Sequence, residues 1–315
     1  MRFLTGMVLA LLAGTAFGQF PVKPVRVVVP FPGGSATDAI TRVLANAVSQ
    51  TIGQAVIVEN KAGADGAIAA AEVAKVPADG YTLLMATNSP LSAVPAMKKQ
   101  PPYDPVTDFT PISDIGRYTF FIVVHPDVPA KTLNELIAYA KANPGKVNYA
   151  TGNTTGIVST AFFASEAGIQ LVHVPYKGEP QAITDLVAGR VQLMFSSVTT
   201  TIPHIREGRL RAIVTTLSRR TPLAPDVPTI AEAGMPQFSV TSWAGLFGPA
   251  KMPKEVVDRL NREFTAAMKR PEVQGAMDKL AFSLNPSTPE QLGAFVKEQI
   301  ESYRRILRAA GVQPE

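Results

Sequence analysis

The sequence predicts an α/β protein with two lobes, each built on a mostly parallel β-sheet flanked by helices. Segments typical of strands alternate with segments of helical spacing along the chain, and this alternation is typical of parallel strands joined by crossover helices. The 315 residues exceed what one hydrophobic core usually serves, which indicates two domains. Proline-rich stretches at 100–111 and 222–237 each precede an apolar run, so we expect the chain to cross between the lobes twice.

The composition argues against several functional classes. Hydrophobic residues make up 46% of the chain and charged residues 17%, which disfavours a disordered chain or a coiled coil. The chain has no Cys and three His residues, so a thiolate nucleophile and a Cys-based zinc site are excluded, and we expect no metal or cofactor. The net charge is +5, but no run of basic residues is longer than two, so nucleic acid is not an expected partner.

The first 18 residues have the pattern of a signal peptide. Arg2 precedes an apolar stretch at 4–13 that is too short to span a bilayer, and the tripeptide 16–18 has the small-x-small form of a cleavage site. We expect cleavage near Gly18 and a mature protein that begins at Gln19. No Cys follows the site, which disfavours a lipid anchor. The protein is therefore expected to be exported, to a periplasm or outside the cell.

Periodicity predicts the elements in order. The largely β-branched run 25–29 is typical of a strand buried on both faces, and apolar residues from Ile40 to Val48 recur at helical spacing. Capping signals at Thr132 and Thr288 predict two helix starts. Further strands are expected at 54–58, 81–86, 120–124, 147–150, 171–174, 191–196 and 210–215. Further helices are expected at 67–73, 132–141, 157–167, 182–188, 253–268 and after 288.

The two expected crossings divide the chain into a discontinuous first lobe and a continuous second lobe. Lobe 1 is predicted to comprise residues 19–121 and 243–315, and lobe 2 residues 122–242. The first crossing is expected at 117–124, and an apolar run that begins at Trp243 is the predicted return strand. A core or hinge role for Trp243 and a role in the cleft both remain open at this point.

The strand-to-helix loop 30–38 is the most informative segment. It reads Pro-Phe-Pro-Gly-Gly-Ser-Ala-Thr-Asp, and its glycines permit a sharp turn and a close approach of a ligand to the main chain. Ser35 or Thr37 is placed to cap the following helix, and Ser35 with Asp38 has capping-box spacing. A helix N-terminus offers free N–H groups and partial positive charge, which favour a carboxylate or phosphate. An ordinary capped turn without a ligand fits the same spacing.

A second loop, 149–156, has the same position between a strand and a helix. It offers threonine hydroxyls and the amide of Asn153, without charge. Ligands of open α/β sheets bind beyond the carboxyl ends of the strands, so two such loops in facing lobes predict a cleft that holds an anion between two helix N-termini. Polar clusters at 87–89, 176–178 and 196–197 also follow predicted strands, and for each of them ligand contact and plain loop chemistry both remain open.

Six segments in order carry a resemblance to a known family. They are Pro-Val-Arg-Val-Val-Val-Pro-Phe at 24–31, Gly-Ser-Ala-Thr-Asp at 34–38, Val-Glu-Asn-Lys-Ala-Gly-Ala at 58–64, Asp-Gly-Tyr-Thr-Leu-Leu at 79–84, Val-Pro-Tyr-Lys-Gly at 174–178 and Asp-Val-Pro-Thr at 226–229. Together they resemble the Bug family, the extracytoplasmic receptors of tripartite tricarboxylate transporters. The resemblance implies a two-lobed, type II-like periplasmic binding protein with two crossing strands, which is not an enzyme. It implies a small organic acid as ligand, often a dicarboxylate or an aromatic carboxylate, delivered to the transporter's membrane subunits, and we expect a monomer.

The two loops, the polar clusters and the resemblance together give the candidate site. The candidate ligand-binding residues are Phe31, Pro32, Gly34, Ser35, Ala36, Thr37, Asp38, Asn88, Ser89, Gly152, Asn153, Thr154, Thr155, Gly156, Tyr176, Ser196 and Ser197. Asp38 is expected to brace its loop by accepting N–H bonds, since it would repel an anion. The usual family loop has Pro at the position of Gly33 and Gly at that of Ser35. Many members also carry a His after the second loop, where this chain has Ile-Val-Ser at 157–159.

Other functions fit less well or need information beyond the sequence. A receptor that presents its closed form to a signalling partner would have the same sequence features as a transport receptor. A Ser-His-Asp hydrolase is disfavoured because the chain has no Gly-x-Ser-x-Gly motif. None of its histidines, His125, His173 and His204, adjoins a Ser-bearing glycine turn.

Overall fold

A computed structural model of the protein describes residues 20–216, 219–238, 240 and 242–309. The predicted signal peptide, 1–18, and its cleavage site lie outside these residues, as does the end of the chain from 310. Within the described residues, no helix is long and apolar enough to cross a membrane.

Strands and helices alternate through most of the chain. The strands are β1 (Val25–Val29), β2 (Val56–Asn60), β3 (Thr82–Thr87), β4 (Phe109–Tyr118), β5 (Phe120–Val124), β6 (Asn148–Thr151), β7 (Val172–Pro175), β8 (Leu193–Ser197), β9 (Arg211–Thr215), β10 (Trp243–Pro249) and β11 (Phe282–Leu284). The helices are α1 (Ala36–Ser49), α2 (Ala67–Val73), α3 (Val94–Met97), α4 (Leu133–Ala142), α5 (Thr154–Ala167), α6 (Glu179–Val187), α7 (Val198–Arg206), α8 (Lys254–Met268), α9 (Pro271–Lys279) and α10 (Pro289–Ala309). A π-helical turn, Ser89–Ala93, links β3 to α3.

These strands form two mixed sheets. Sheet 1 has the order β11-β4-β10-β3-β1-β2, and sheet 2 has the order β7-β6-β8-β5-β9. In sheet 1, β1 runs parallel to β2 and β3, whereas β10 runs antiparallel to β3 and β4. In sheet 2, β6 runs parallel to β7 and β8, whereas β5 runs antiparallel to β8 and β9. The prediction of mostly parallel sheets is therefore corrected, because the crossing strands enter each sheet against the direction of its parallel strands.

Both sheets are covered by helices on their two faces. Along β1, Val27 belongs to one buried cluster with Leu44 of α1, while Val28 belongs to another with Leu292 of α10. Neighbouring side chains of a strand point to opposite faces, so a β-branched run is buried only where helices cover both. In sheet 2, Phe121 and Ile122 divide in the same way between two clusters. Burial of each such side chain contributes roughly 1.5–3 kcal/mol relative to its exposure.

The chain passes from sheet 1 to sheet 2 across a single residue. β4 ends at Tyr118 and β5 begins at Phe120, so Thr119 alone separates strands of different sheets. The return runs from β9 of sheet 2 to β10 of sheet 1, as predicted at Trp243. Phe120 and Phe121, which the sequence assigned to lobe 1, pair with strands of sheet 2. We propose that the lobe boundaries follow sheet membership and lie at Thr119 and near 242.

The two-lobed α/β class is confirmed, with shifts at the ends of elements. The strand expected at 54–58 lies at Val56–Asn60, and α5 and α6 each begin three residues before their predicted starts. β4 was missed where it overlaps the proline-rich stretch, and α3, α7, α9 and β11 were missed entirely. Trp243 is fully buried and its ring packs against Phe247 and Phe295, which gives it a core role.

Candidate functional site

A small pocket, with a cavity volume of about 30 Å³, lies where the loops of the two sheets meet. Its walls come from the ends of β1, β3, β6 and β8, from the crossing between β4 and β5, and from the segment before β10. The lining residues are Phe31, Ser35, Ala36, Thr37, Thr87, Asn88, Ser89, Tyr118, Phe120, Gly152, Asn153, Thr155, Glu179, Ser197 and Ser242. Among these described residues none is Lys, Arg or His, so the pocket offers hydroxyls, amides and backbone groups instead of cations.

The loop after β1 presents the N-terminus of α1 to the pocket. Ser35 is the N-cap, and its Oγ accepts a hydrogen bond from Asp38 N at 3.3 Å. Because that oxygen is an acceptor there, its own hydroxyl hydrogen is available to donate into the pocket. In the described part of the chain, the N–H groups of Ala36 and Thr37 have no hydrogen-bond partner. These donors, with the partial positive charge of the helix end, suit an anionic group.

Asp38 braces this loop, as the sequence predicted. One carboxylate oxygen accepts from Gly34 N at 2.9 Å, and the other accepts from Asn60 Nδ2 at 2.9 Å and pairs with Arg42. Burial raises the pKa of Asp38, but the hydrogen bonds from Arg42, Gly34 and Asn60 outweigh burial and hold the pKa below its usual value. The carboxylate is therefore charged and fully engaged within the loop, and it does not line the pocket.

Tyr118, at the end of β4, supports the loop from across the pocket. Its hydroxyl donates to Thr37 Oγ1 at 2.8 Å, which leaves the hydroxyl hydrogen of Thr37 free to donate elsewhere. Burial raises the pKa of Tyr118 far above its ordinary value, and the nearby charge of Glu179 adds to the rise. Tyr118 thus remains a neutral donor at any physiological pH.

The loop after β6 presents a second helix N-terminus. Asn153 caps α5, and its side-chain oxygen accepts from Gly156 N at 2.9 Å. The N–H groups of Gly152 and Asn153 have no hydrogen-bond partner within the residues that the structure describes. Gly152 leaves no room for a side chain, because a Cβ there would collide with the backbone N of Glu179. The sheet 2 loop therefore packs directly against the start of α6, and its free N–H groups lie in the pocket wall.

Hydrogen bonds join the two lobes at the pocket. Ser89, after β3, accepts from Thr155 N at 3.3 Å and lies 3.1 Å from the Thr155 hydroxyl. The Asn88 amide donates both to Thr155 Oγ1 and to the hydroxyl of Tyr303 on α10. The Asn88 oxygen accepts from Trp243 N at 3.2 Å. Asn88 is thus held on three sides, and these bonds describe a closed arrangement of the lobes.

Glu179, the first residue of α6, is the one carboxylate among the described residues that line the pocket. It is 6% exposed. Its oxygens accept hydrogen bonds from the backbone N and the hydroxyl of Ser197, from the hydroxyl of Thr200 and from the amide of Asn153. Burial raises its pKa, and these hydrogen bonds oppose the rise without cancelling it.

The structure brings most of the predicted site residues together. Those that line the pocket are Phe31, Ser35, Ala36, Thr37, Asn88, Ser89, Gly152, Asn153, Thr155 and Ser197. Those that do not are Pro32, Gly34, Asp38, Thr154, Gly156, Tyr176 and Ser196.

The residues outside the lining have other contacts. Gly34 and Asp38 brace the α1 loop, and Gly156 donates to the cap of α5. Pro32 packs against Gly178, where a Cβ would lie 2.7 Å from Pro32 Cγ. The buried hydroxyl of Thr154 has no partner among the described residues. The Tyr176 hydroxyl donates to Asp185, and the Ser196 hydroxyl lies near that of Thr200.

Five lining residues were not among the candidates. Thr87 belongs to the polar cluster 87–89, and Glu179 directly follows the cluster 176–178. Both clusters lie at the ends of predicted strands, so that position in the sequence could have identified these two residues. The other three are Tyr118, Phe120 and Ser242. They lie at the two crossings, where the sequence predicted a change of lobe without assigning any contact to the cleft.

The fold and the pocket define a two-lobed binding protein of the periplasmic binding protein class. The sequence model of the tripartite tricarboxylate transporter family receptor matches residues 40–312, and the chain belongs to that family. The periplasmic binding protein BugD is among the similar solved structures. The resemblance to the Bug family is confirmed by BugT of Bordetella pertussis, which is 33% identical over 297 residues that cover 93% of this chain and 91% of BugT.

Solved structures agree with this placement. A protein of R. palustris solved with adipate is 32% identical, with a TM-score of 0.91 over 94% of this chain and all of that one (100%). MatC from Rhodopseudomonas palustris, solved with bound malate, is 31% identical, with a TM-score of 0.87 over 91% of this chain and 100% of MatC. Both proteins were therefore solved with a small organic acid.

Proposed function

We propose that this protein is a periplasmic receptor that binds a small organic acid between its lobes and delivers it to the membrane subunits of a tripartite tricarboxylate-type transporter. It acts as a monomer after its signal peptide is removed near Gly18. Its carboxylate ligand contacts N–H groups and hydroxyls of both lobes. The adipate and malate found in two related structures support an organic acid as the ligand class.

One observation carries the proposal. Two helix N-termini, of α1 in one lobe and α5 in the other, open on the same pocket with N–H groups that have no partner in the described residues. Buried N–H groups are nearly always satisfied in folded proteins, so this pair of loops is built for an acceptor that arrives from outside. Each contact of an anion with a helix end contributes roughly 0.3–2 kcal/mol.

Several contacts are needed to reach the affinity of a receptor. A micromolar Kd corresponds to about −8 kcal/mol, more than two helix ends provide. The hydroxyls of Ser35 and Thr37 and the burial of the apolar part of the ligand against Phe31 and Phe120 supply further stabilisation. Closure of the lobes around the ligand then excludes water from these bonds.

A thermal-shift screen of the mature protein from Gln19 tests the proposal. The panel contains mono-, di- and tricarboxylates, aromatic acids and acidic amino acids. A ligand at about 100 times its Kd should add roughly 2.7 kcal/mol to the free energy of unfolding, seen as a rise of several degrees in Tm. A selective rise with an acid supports the proposal. No rise with any acid, together with no acid released on denaturation and mass spectrometry, would contradict it.

A further inference from the structure

The charge of Glu179 is unusual for a pocket that takes an anion. The residue is almost fully buried and lies in the wall that sheet 2 contributes. Its neighbour Gly178 packs directly on Pro32 of the α1 loop, so Glu179 stands beside the loop that we propose to hold a carboxylate. Its charge also contributes to the raised pKa of Tyr118, at the end of β4.

Hydrogen-bond donors of the protein surround both oxygens of the Glu179 carboxylate. Ser197 N at 3.3 Å and Asn153 Nδ2 at 3.4 Å donate to one oxygen, and Ser197 Oγ at 2.7 Å donates to the other. The Thr200 hydroxyl lies 3.1 Å from that second oxygen and 3.0 Å from Ser197 O, so its one hydrogen is divided between them. These donors favour the ionised form and oppose burial, which raises the pKa of the carboxyl. The position of the group in the first turn of α6, next to the start of α7, favours the ionised form as well.

No cation of the pocket compensates this charge. Within the described residues, the lining contains no Lys, Arg or His. The guanidinium of Arg42, on α1, pairs with Asp38 at 2.9 Å and does not line the pocket. A ligand with two carboxylates would place its second charge in a small pocket whose described lining holds a carboxyl group and no cation, and like charges repel strongly where water is excluded.

We propose that Glu179 is a specificity-determining residue that excludes a second carboxylate, so that the pocket prefers a small monocarboxylate with an uncharged body. This inference rests on the proposed function and narrows its ligand class. The rings of Phe31, Tyr118 and Phe120 line the pocket and suit an apolar or aromatic body. A ligand ammonium group is not the expected partner of Glu179, because donors of the protein already reach both of its oxygens.

Calorimetric titration with matched pairs of acids tests this inference. The pairs are hexanoate with adipate and benzoate with terephthalate, since each pair shares one skeleton and differs by one carboxylate. At neutral pH, the wild-type protein should bind the monocarboxylate of a pair at least about tenfold more tightly. In Glu179→Gln, the ratio of the two dissociation constants should fall by about tenfold, which corresponds to about 1.4 kcal/mol.

The control is Glu207→Gln, which removes one negative charge from the exposed end of α7, where Glu207 pairs with Arg209. In this variant, the ratio of the two dissociation constants should equal that of the wild-type protein. A wild-type preference for adipate and terephthalate, or an unchanged ratio in Glu179→Gln, would overturn the inference. If Glu179→Gln does not fold, the ratio of the two dissociation constants in the wild-type protein is by itself the test of the inference. Tight binding of dicarboxylates would leave the proposed function standing, whereas the absence of binding by every acid would remove both.

Discussion

The side-chain amide of Asn88, in lobe 1, donates a hydrogen bond to the hydroxyl of Thr155, in lobe 2. The two residues are 67 positions apart in the chain and follow strands of different sheets. Both line the pocket, and Tyr303 of α10 shares the same amide. The contact therefore couples closure of the lobes to the wall of the ligand site.

Removal of the Thr155 hydroxyl should weaken ligand binding by favouring the open form. Thr155→Val keeps the shape of the side chain but leaves the buried Asn88 amide with one partner fewer, at a cost of about 1–3 kcal/mol. We expect Kd to rise at least fivefold, which corresponds to a loss of about 1 kcal/mol of binding free energy. Calorimetry gives the Kd, and small-angle X-ray scattering should show a larger radius of gyration.

The matched control for this change is Thr160→Val, also buried on α5. The Thr160 hydroxyl donates to Gly156 O within the helix and does not line the pocket. An equal loss of affinity in both variants would show that helix stability, not the contact between lobes, is responsible.

Ser35→Ala should lower both stability and affinity. It removes the cap of α1, which costs about 0.5–2 kcal/mol of unfolding free energy, and it removes a donor to the ligand worth about 1 kcal/mol. Chemical denaturation and calorimetry measure the two effects. Thr132→Ala removes the cap of α4, which lies outside the pocket, so it should lower stability alone. If Ser35→Ala binds as tightly as Thr132→Ala, the Ser35 hydroxyl is not a ligand donor.

Gly34→Val should abolish binding while the fold persists. Gly34 has φ of +79° and no atom within 4 Å of the Cβ position, so the strain is in the backbone, at roughly 1–2 kcal/mol or more. The turn must shift, and with it the bond from Gly34 N to Asp38 and the start of α1. Circular dichroism checks the fold, and the thermal-shift response to ligand checks binding.

Gly208→Val is the control for backbone strain, since Gly208 has φ of +71° and equally open space, outside the pocket. It should lose stability yet keep ligand binding. Normal binding by Gly34→Val would contradict the assignment of the α1 loop to the site.

The pH dependence of stability should reveal the raised pKa of Glu179. Burial places its folded pKa above the reference value of 4.5, so between these two pKa values the native state binds more protons than the unfolded state. The free energy of unfolding therefore falls as pH rises through this window. Glu179→Gln lacks this dependence, so its stability relative to the wild-type protein should increase with pH. Denaturation curves recorded from pH 4 to 8 measure the difference, and a difference that does not change with pH would contradict the assignment.

The class of fold and the two loops that meet at the pocket followed from local sequence. The run at β1, the helical spacing of α1 and the caps at Ser35 and Thr132 depend on residues within a few positions of one another. Hydrogen-bond geometry and side-chain periodicity at that range are properties of the chain itself. The bracing role of Asp38 followed from the same kind of local argument, since its charge disfavours an anionic ligand.

Only the tertiary structure decided which of these residues share a pocket. Tyr118 meets Thr37 across 81 positions and Tyr303 meets Asn88 across 215, and no local pattern encodes such meetings. They arise because the crossing strands join the two sheets and because α10 packs against both lobes. The buried charge of Glu179 is the clearest case. The sequence showed only an acidic residue after a glycine, whereas the packing of Gly152 and Ser197 around it removes it from water and raises its pKa.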